Sequence, residues 1–194
     1  MYPDSFQRLI NQFSALPGIG PKMAERLVLF LFKQETTKID EFIIDLSNLH
    51  KVTTCTDCFN ITQNELCTIC ADKNRERTKL CIVEESLDII PIERSGAFKG
   101  LYHVLGGTVK KHDKAQLTTN KLVDRIKKTN FEEIVIATNF TTEGDMTAMC
   151  LRQTLAPLNI PLFRLARGLA TGSDIEYADD MTIRSSLTNK QSFS

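Results

Sequence analysis

Cys55-x-x-Cys58 and Cys67-x-x-Cys70 form two pairs of thiols separated by eight residues. Each pair can sit on one tight turn, and two such turns facing each other complete a tetrahedral four-sulfur site of the kind that binds zinc. With every position taken by sulfur, no water is left to activate, so the expected role of the metal is structural. A redox role would need one C-x-x-C opening a helix behind a thioredoxin-like strand, and neither pair has that context. Of the six cysteines, Cys81 and Cys150 fall in an expected strand and an expected helix, where they read as small buried apolar residues.

A second stretch with chemical potential is Leu16-Pro-Gly-Ile-Gly-Pro-Lys22, flanked on both sides by helix-like sequence. Glycines permit positive φ and let the backbone approach a ligand without an intervening side chain. Pro21 suits the first position of a following helix, where its missing N–H costs nothing. The free N–H groups and dipole at that helix start favour a phosphate oxygen. Lys22 and Arg26, four residues apart, share the adjacent face. This is the layout of a helix-hairpin-helix DNA-binding motif, and it nominates Gly18, Ile19, Gly20, Lys22 and Arg26 as backbone contacts without base specificity. The competing reading is a tight connector with two solvated cations. One hairpin binds weakly, which favours several copies acting together in an oligomer.

A third group is acidic. Glu84 follows the apolar run Cys-Ile-Val, and Glu143-Gly-Asp145 follows Ile-Val-Ile-Ala-Thr-Asn. Acidic residues beyond the carboxyl ends of parallel strands occupy the usual position for ligand chemistry. The layout is that of a Toprim domain, the fold of topoisomerases, primases and some nucleases. Its catalytic versions resemble Asp-x-Asp-x-Glu-Gly at this point. Here the run is Asn139-Phe140-Thr141-Thr142-Glu143-Gly144, so both aspartate positions have lost their charge. An amide and a hydroxyl are poor substitutes for the carboxylates that a hard magnesium ion needs. The fold is therefore expected without the catalysis, and the alternative is a magnesium-dependent nuclease, primase or topoisomerase-like enzyme. Glu84, Glu143 and Asp145 remain as a partner-binding or vestigial acidic site, set against plain helix-start and surface charge.

These groups need elements to hold them. Lys+Arg and Asp+Glu both total 24, so net charge identifies no partner, and any nucleic-acid surface must come from local clustering. The 42% hydrophobic and 25% charged composition is that of a globular chain. Neither a secretory signal nor a membrane-length apolar run is evident, so a cytoplasmic location is expected, where clustered cysteines indicate metal or free thiols. Helical spacing appears at Phe6, Leu9, Ile10 and Phe13, at Ala24, Leu27, Val28 and Leu31, and at Ile39, Phe42, Ile43, Leu46 and Leu49. Beyond a charged connector (72–79), strands are expected at 81–85, 133–139 and 161–167, with helices around 87–94, 117–128 and 144–155. That alternation predicts a parallel sheet buried on both faces. The predicted organisation is α/β, and α+β overall: a helix-hairpin-helix domain (1–52), a C4 zinc module (53–78), a Toprim parallel α/β domain (79–175) and a short C-terminal arm (176–194).

In this order, LPGIGPK, the four cysteines, CIVEE, FKGLYHVLGG (98–107), ATNFTTEGD (137–145) and GSDIEYADD (172–180) resemble the RecR family of recombination mediators over nearly the whole chain. Three places depart from the family pattern: the loop 108–115, Phe140 in place of the usual proline, and Ala170 and Ser173 in place of the more frequent proline and glycine. The resemblance implies a non-enzymatic DNA-repair protein that assembles as a tetrameric ring around DNA. It implies work with RecO, and in some settings RecF, to load RecA onto single-stranded DNA. The family's segment matching Asp174 to Asp180 has been likened to a Walker B strand. No G-x-x-x-x-G-K-[ST] loop accompanies it, so ATP hydrolysis is not expected.

Overall fold

The first periodic stretch forms α1 (Asp4–Ser14), which buries Ile10 with Phe6 and Phe13 beside it. α2 (Pro21–Phe32) starts at Pro21 and contributes Ala24 and Val28 to the same small core. The computed structural model describes residues 2–109, 118–190 and 192, and the chain divides into two units, Met1–Val52 and Thr53–Ser194. In the first unit, α3 (Thr36–Asn48) has the expected apolar stripe yet buries no residue. Ile39, Phe42, Ile43 and Leu46 instead line an open groove of about 560 Å³ shared with Phe6, Leu9 and Phe32.

The second unit opens with a two-stranded antiparallel ribbon, β1 (Thr53–Thr54) with β2 (Ile61–Thr62), and the single-turn helix α4 (Thr68–Ala71). Four parallel strands follow, β3 (Glu76–Val83), β4 (Gly100–Val104), β5 (Glu133–Ala137) and β6 (Leu162–Arg164), in the order β4-β3-β5-β6. The connections carry α5 (Ser86–Ser95), α6 (Thr119–Lys128) and α7 (Thr142–Leu155), and α8 (Asp180–Thr188) ends the fold. Alternation along β3 sends Leu80 and Ile82 into one core, with Leu122, Ile134 and Leu151, and sends Cys81 and Val83 into another, with Ile89, Tyr102 and Val104. Each fully buried aliphatic side chain contributes about 1.5–3 kcal/mol, so both faces of the sheet are anchored. Burial raises the Cys81 thiol to about 12, in keeping with an inert core residue. Cys150, half-buried on α7, completes the pair left outside the four-cysteine group.

Three features differ from the sequence expectation, the first being that β6 covers only Leu162–Arg164 of the expected 161–167. Half of the charged connector is strand, because β3 begins at Glu76, and its polar first residues are exposed or half-buried before the apolar run starts at Leu80. β4, not assigned from sequence, is buried along its whole length, with Tyr102 and His103 interrupting an otherwise apolar segment.

The start of β3 is tied to the end of α5 by Arg75, which donates to both carboxylate oxygens of Glu93 at 3.1 and 2.6 Å; Tyr102 donates to the same carboxylate at 2.6 Å. Burial opposes ionisation of Glu93, but the hydrogen bonds from Arg75 and Tyr102 outweigh it and hold the carboxyl below its ordinary range. A group with a lowered folded-state pKa stabilises the fold above its unfolded value, and that contribution is lost as pH falls through the folded value. Glu93→Gln should therefore cost about 1–3 kcal/mol at neutral pH. The gap from wild type should close as pH drops below the ordinary carboxylate value of 4.5, which urea unfolding at several pH values would read.

Candidate metal centre and nucleic-acid interface

Cys55 leaves the end of β1 and Cys58 lies in the turn that follows, where Phe59 takes φ +64° to bring the chain round. Cys67 caps α4, its sulfur accepting from the Cys70 N–H at 3.5 Å. All four cysteines are buried, with ligand atoms within 4.8 Å of one another, and the Cys58 and Cys67 sulfurs are 3.5 Å apart, far beyond a disulfide bond. Hydrogen bonds from Cys58 and Cys70 pull the Cys67 thiol down, while the bond to Cys67, then Cys70 and burial, push the Cys58 thiol up. Four thiolates cannot share so small and dry a volume without a cation, and the four-sulfur set suits structural zinc. Among the described residues, this is the one group of three or more His, Cys, Asp or Glu side chains close enough to hold an ion.

In the hairpin, Gly18 has φ +79°, a conformation that disfavours any side chain. Ile19 packs against Ile10, Ala24 and Val28, and its N–H is used by the Leu16 carbonyl at 3.1 Å, so it shapes the turn. Gly20 caps α2 with an ordinary φ of −80°, and a Cβ there would meet nothing within 4 Å. Its backbone is thus open to approach from solvent. The Lys22 and Met23 N–H groups, in the first turn, have no intrahelical acceptor. Lys22 and Arg26 are exposed, and neither forms an ion pair among the described residues.

At the carboxyl ends of β3 and β5 the acidic residues are not gathered. Glu84, 5% exposed, accepts from the Asn139 N–H at 2.8 Å and the Asn139 side-chain amide at 2.6 Å. Thr141 caps α7 by accepting from the Gly144 N–H at 3.1 Å. A Cβ on Gly144 would lie 2.1 Å from the Asn139 carbonyl oxygen and 2.7 Å from Glu84 Oε1, so glycine is obligatory for this close approach. Asp145 is paired with Arg167 and, at 2.6 Å, with Arg164; Arg167 first, then Arg164, holds its carboxyl below the usual range. Of the three acids, only Glu143 is exposed. Arg164 and Arg167, which sequence reading treated as part of a strand, were not legible as partners, because nothing in their spacing points to a carboxylate some twenty positions away.

Comparison with known proteins covers all four segments. A RecR helix-hairpin-helix model matches residues 6–48, a RecR four-cysteine zinc finger model 52–72, a Toprim domain model 78–166, and a RecR C-terminal model 168–191. The chain is 44% identical to the recombination protein RecR of Chloroflexus aggregans over 190 residues, covering 95% of this chain and 92% of that one. It is 40% identical to RecR of Lactococcus lactis subsp. lactis over 193 residues, covering 97% and 98%. This chain belongs to the RecR family.

Within this RecR-family fold, the departures noted from sequence acquire structural roles. The Phe140 ring faces the guanidinium groups of Arg167 and Arg164, at 4.5 and 5.0 Å from its centre. These contacts brace the same two arginines that neutralise Asp145. Ala170 and Ser173 close a turn through Ser173 N–H to the Ala170 carbonyl at 3.0 Å, with Gly172 at φ +83°. Of the atypical loop 108–115, positions 110–115 lie outside the described residues. Among the described residues, no helix is long and apolar enough to cross a membrane.

Proposed function

We propose that this RecR-family protein is a non-enzymatic, DNA-binding recombination mediator in the cytoplasm that works with RecO, and in some settings RecF, to load RecA onto single-stranded DNA. The observation that carries this reading is the state of the Toprim strand end. Asn139 and Thr141 stand where the enzymes of this fold place aspartates, and both are engaged internally: one clamps Glu84, the other caps α7. Asp145 is committed to two arginines. What is left cannot offset the cost of partly dehydrating a magnesium ion. Glu143, exposed at the start of α7, is the acid best placed to meet a basic partner surface, while Glu84 and Asp145 are engaged within the chain.

DNA contact falls to the hairpin, where Gly18 sets the turn, Ile19 anchors it, Gly20 opens the backbone, and Lys22 and Arg26 supply charge. A homotetrameric ring is supported by the apolar stripe of α3 and by Ile175, Tyr177, Met181 and Leu187 near the C-terminus, all exposed in the single chain. The magnesium test is direct. Supercoiled and single-stranded DNA incubated with the protein and Mg²⁺ or Mn²⁺ should be recovered unbroken. Breakage by wild type that disappears in Glu84→Ala with Glu143→Ala would establish the enzyme instead.

A further inference from the structure

We infer that Arg125 is the counter-ion of the zinc centre, reaching from the sheet domain so that one guanidinium joins the finger to the Toprim fold. This goes beyond the four ligands, and it rests on the zinc site and not on the mediator reading. Arg125 sits on α6 and is only 8% exposed, among the few buried charged side chains of the described residues. A guanidinium removed from water costs several kcal/mol unless matched by hydrogen bonds and opposite charge. One nitrogen donates to the Tyr102 carbonyl of β4 at 2.5 Å, which supplies no charge. The other faces two groups of the zinc module: Asp57 Oδ2 at 3.4 Å and the Cys70 sulfur at 3.9 Å.

Asp57 lies between the first two cysteines, but its side chain is 48% exposed, so water screens much of its charge. Four thiolates around Zn²⁺ carry a net charge of about −2, and with Cys70 buried that charge is screened far less. The zinc centre is therefore the stronger anionic partner. The setting is consistent: His103, beside Arg125 on β4, is pushed down to about 3 by burial and then by the Arg125 charge, and so stays neutral. Its Nε2 meets Thr118 Oγ1 at 2.9 Å, while that hydroxyl donates to the Val104 carbonyl at 2.8 Å. The Val104 N–H in turn donates to the Cys58 carbonyl at 2.8 Å, a second tie between β4 and the finger. Arg77, the other arginine near the site, reaches only backbone carbonyls of Cys70 and Asp72 and is exposed, so it does not share this role.

The test is zinc competition against a colorimetric chelator on the full-length protein. Arg125→Gln, which keeps donors but removes charge, should lower zinc affinity by about 10- to 100-fold. Arg125→Lys, with the charge kept, should recover most of it. Asp57→Asn leaves the zinc centre as the main anionic partner and should hold zinc at least as well as wild type. With Co²⁺ in place of zinc, Arg125→Gln should move the sulfur-to-cobalt charge-transfer band to longer wavelength, because a sulfur no longer faced by a positive charge gives up its electrons more readily. If Arg125→Gln does not fold, the Lys and Asn variants carry the test. Unchanged zinc affinity and cobalt spectrum in Arg125→Gln would overturn the inference. So would loss of zinc in Asp57→Asn, or in Arg125→Lys, as severe as that expected for Arg125→Gln.

Discussion

Cys67→Ser should strip the protein of zinc and unfold the module between β1 and α4. The Cys67 sulfur lies 3.5 Å from that of Cys58 and caps α4 by accepting from the Cys70 N–H. Serine keeps a weak cap but is a poor zinc ligand. Because the ligands are not assembled in an unfolded chain, metal-binding energy becomes folding energy, about 10–16 kcal/mol in isolated finger peptides at neutral pH. Whole domains are stable by only about 5–15 kcal/mol, so even part of that loss is severe. Elemental analysis should read about one zinc per wild-type chain and near none in the variant, with a clear fall in thermal midpoint. The apolar clusters around Leu80 and Ile134 do not depend on the metal, so much of the helix signal in circular dichroism should persist. Full stability in protein stripped of zinc would contradict this account.

Replacing both Lys22 and Arg26 with alanine should weaken binding to every DNA sequence alike. The two side chains are exposed, lie one helical turn apart beside the open backbone of Gly20, and take no part in the small core of Ile10, Ala24 and Val28. The variant should therefore keep its fold. In a tetramer, two cations from each of four chains meet about eight phosphates, giving a log–log salt slope near −7 on duplex DNA. Removing them should flatten the slope and lower affinity at least about 100-fold at 0.1 M salt. Fluorescence anisotropy across a salt series reads both quantities. An unchanged slope would return the hairpin to a mere helix connector.

The residues that were legible in sequence share one property: their partners lie close along the chain. Cys55, Cys58, Cys67 and Cys70 announce a metal site by spacing, and Gly18 and Pro21 announce the turn and the helix start by their backbone restrictions. β5 was visible as a continuous apolar run because both of its faces are covered. β4 was not, because Tyr102 and His103 look polar until their partners, Glu93 and Thr118, are known. The same holds for the acids. Asp145 reads in sequence only as one member of an acidic group, because Arg164 and Arg167 reach it through the pairing of β5 with β6. Arg125 stands 55 residues from Cys70, and nothing local reveals that they meet. The stripe of α3 is legible as apolar, yet no residue of it is buried, because periodicity marks an apolar face without showing what covers it.

The claim that this protein mediates recombination is tested most directly by the rate at which RecA assembles on single-stranded DNA already coated with single-strand binding protein. RecA-dependent ATP hydrolysis should start after a long lag with RecA alone. The lag should shorten when this protein is added together with RecO, and it should lengthen again when Lys22→Ala and Arg26→Ala are combined. An unaltered lag with the zinc-loaded wild-type protein and RecO both present would contradict the account.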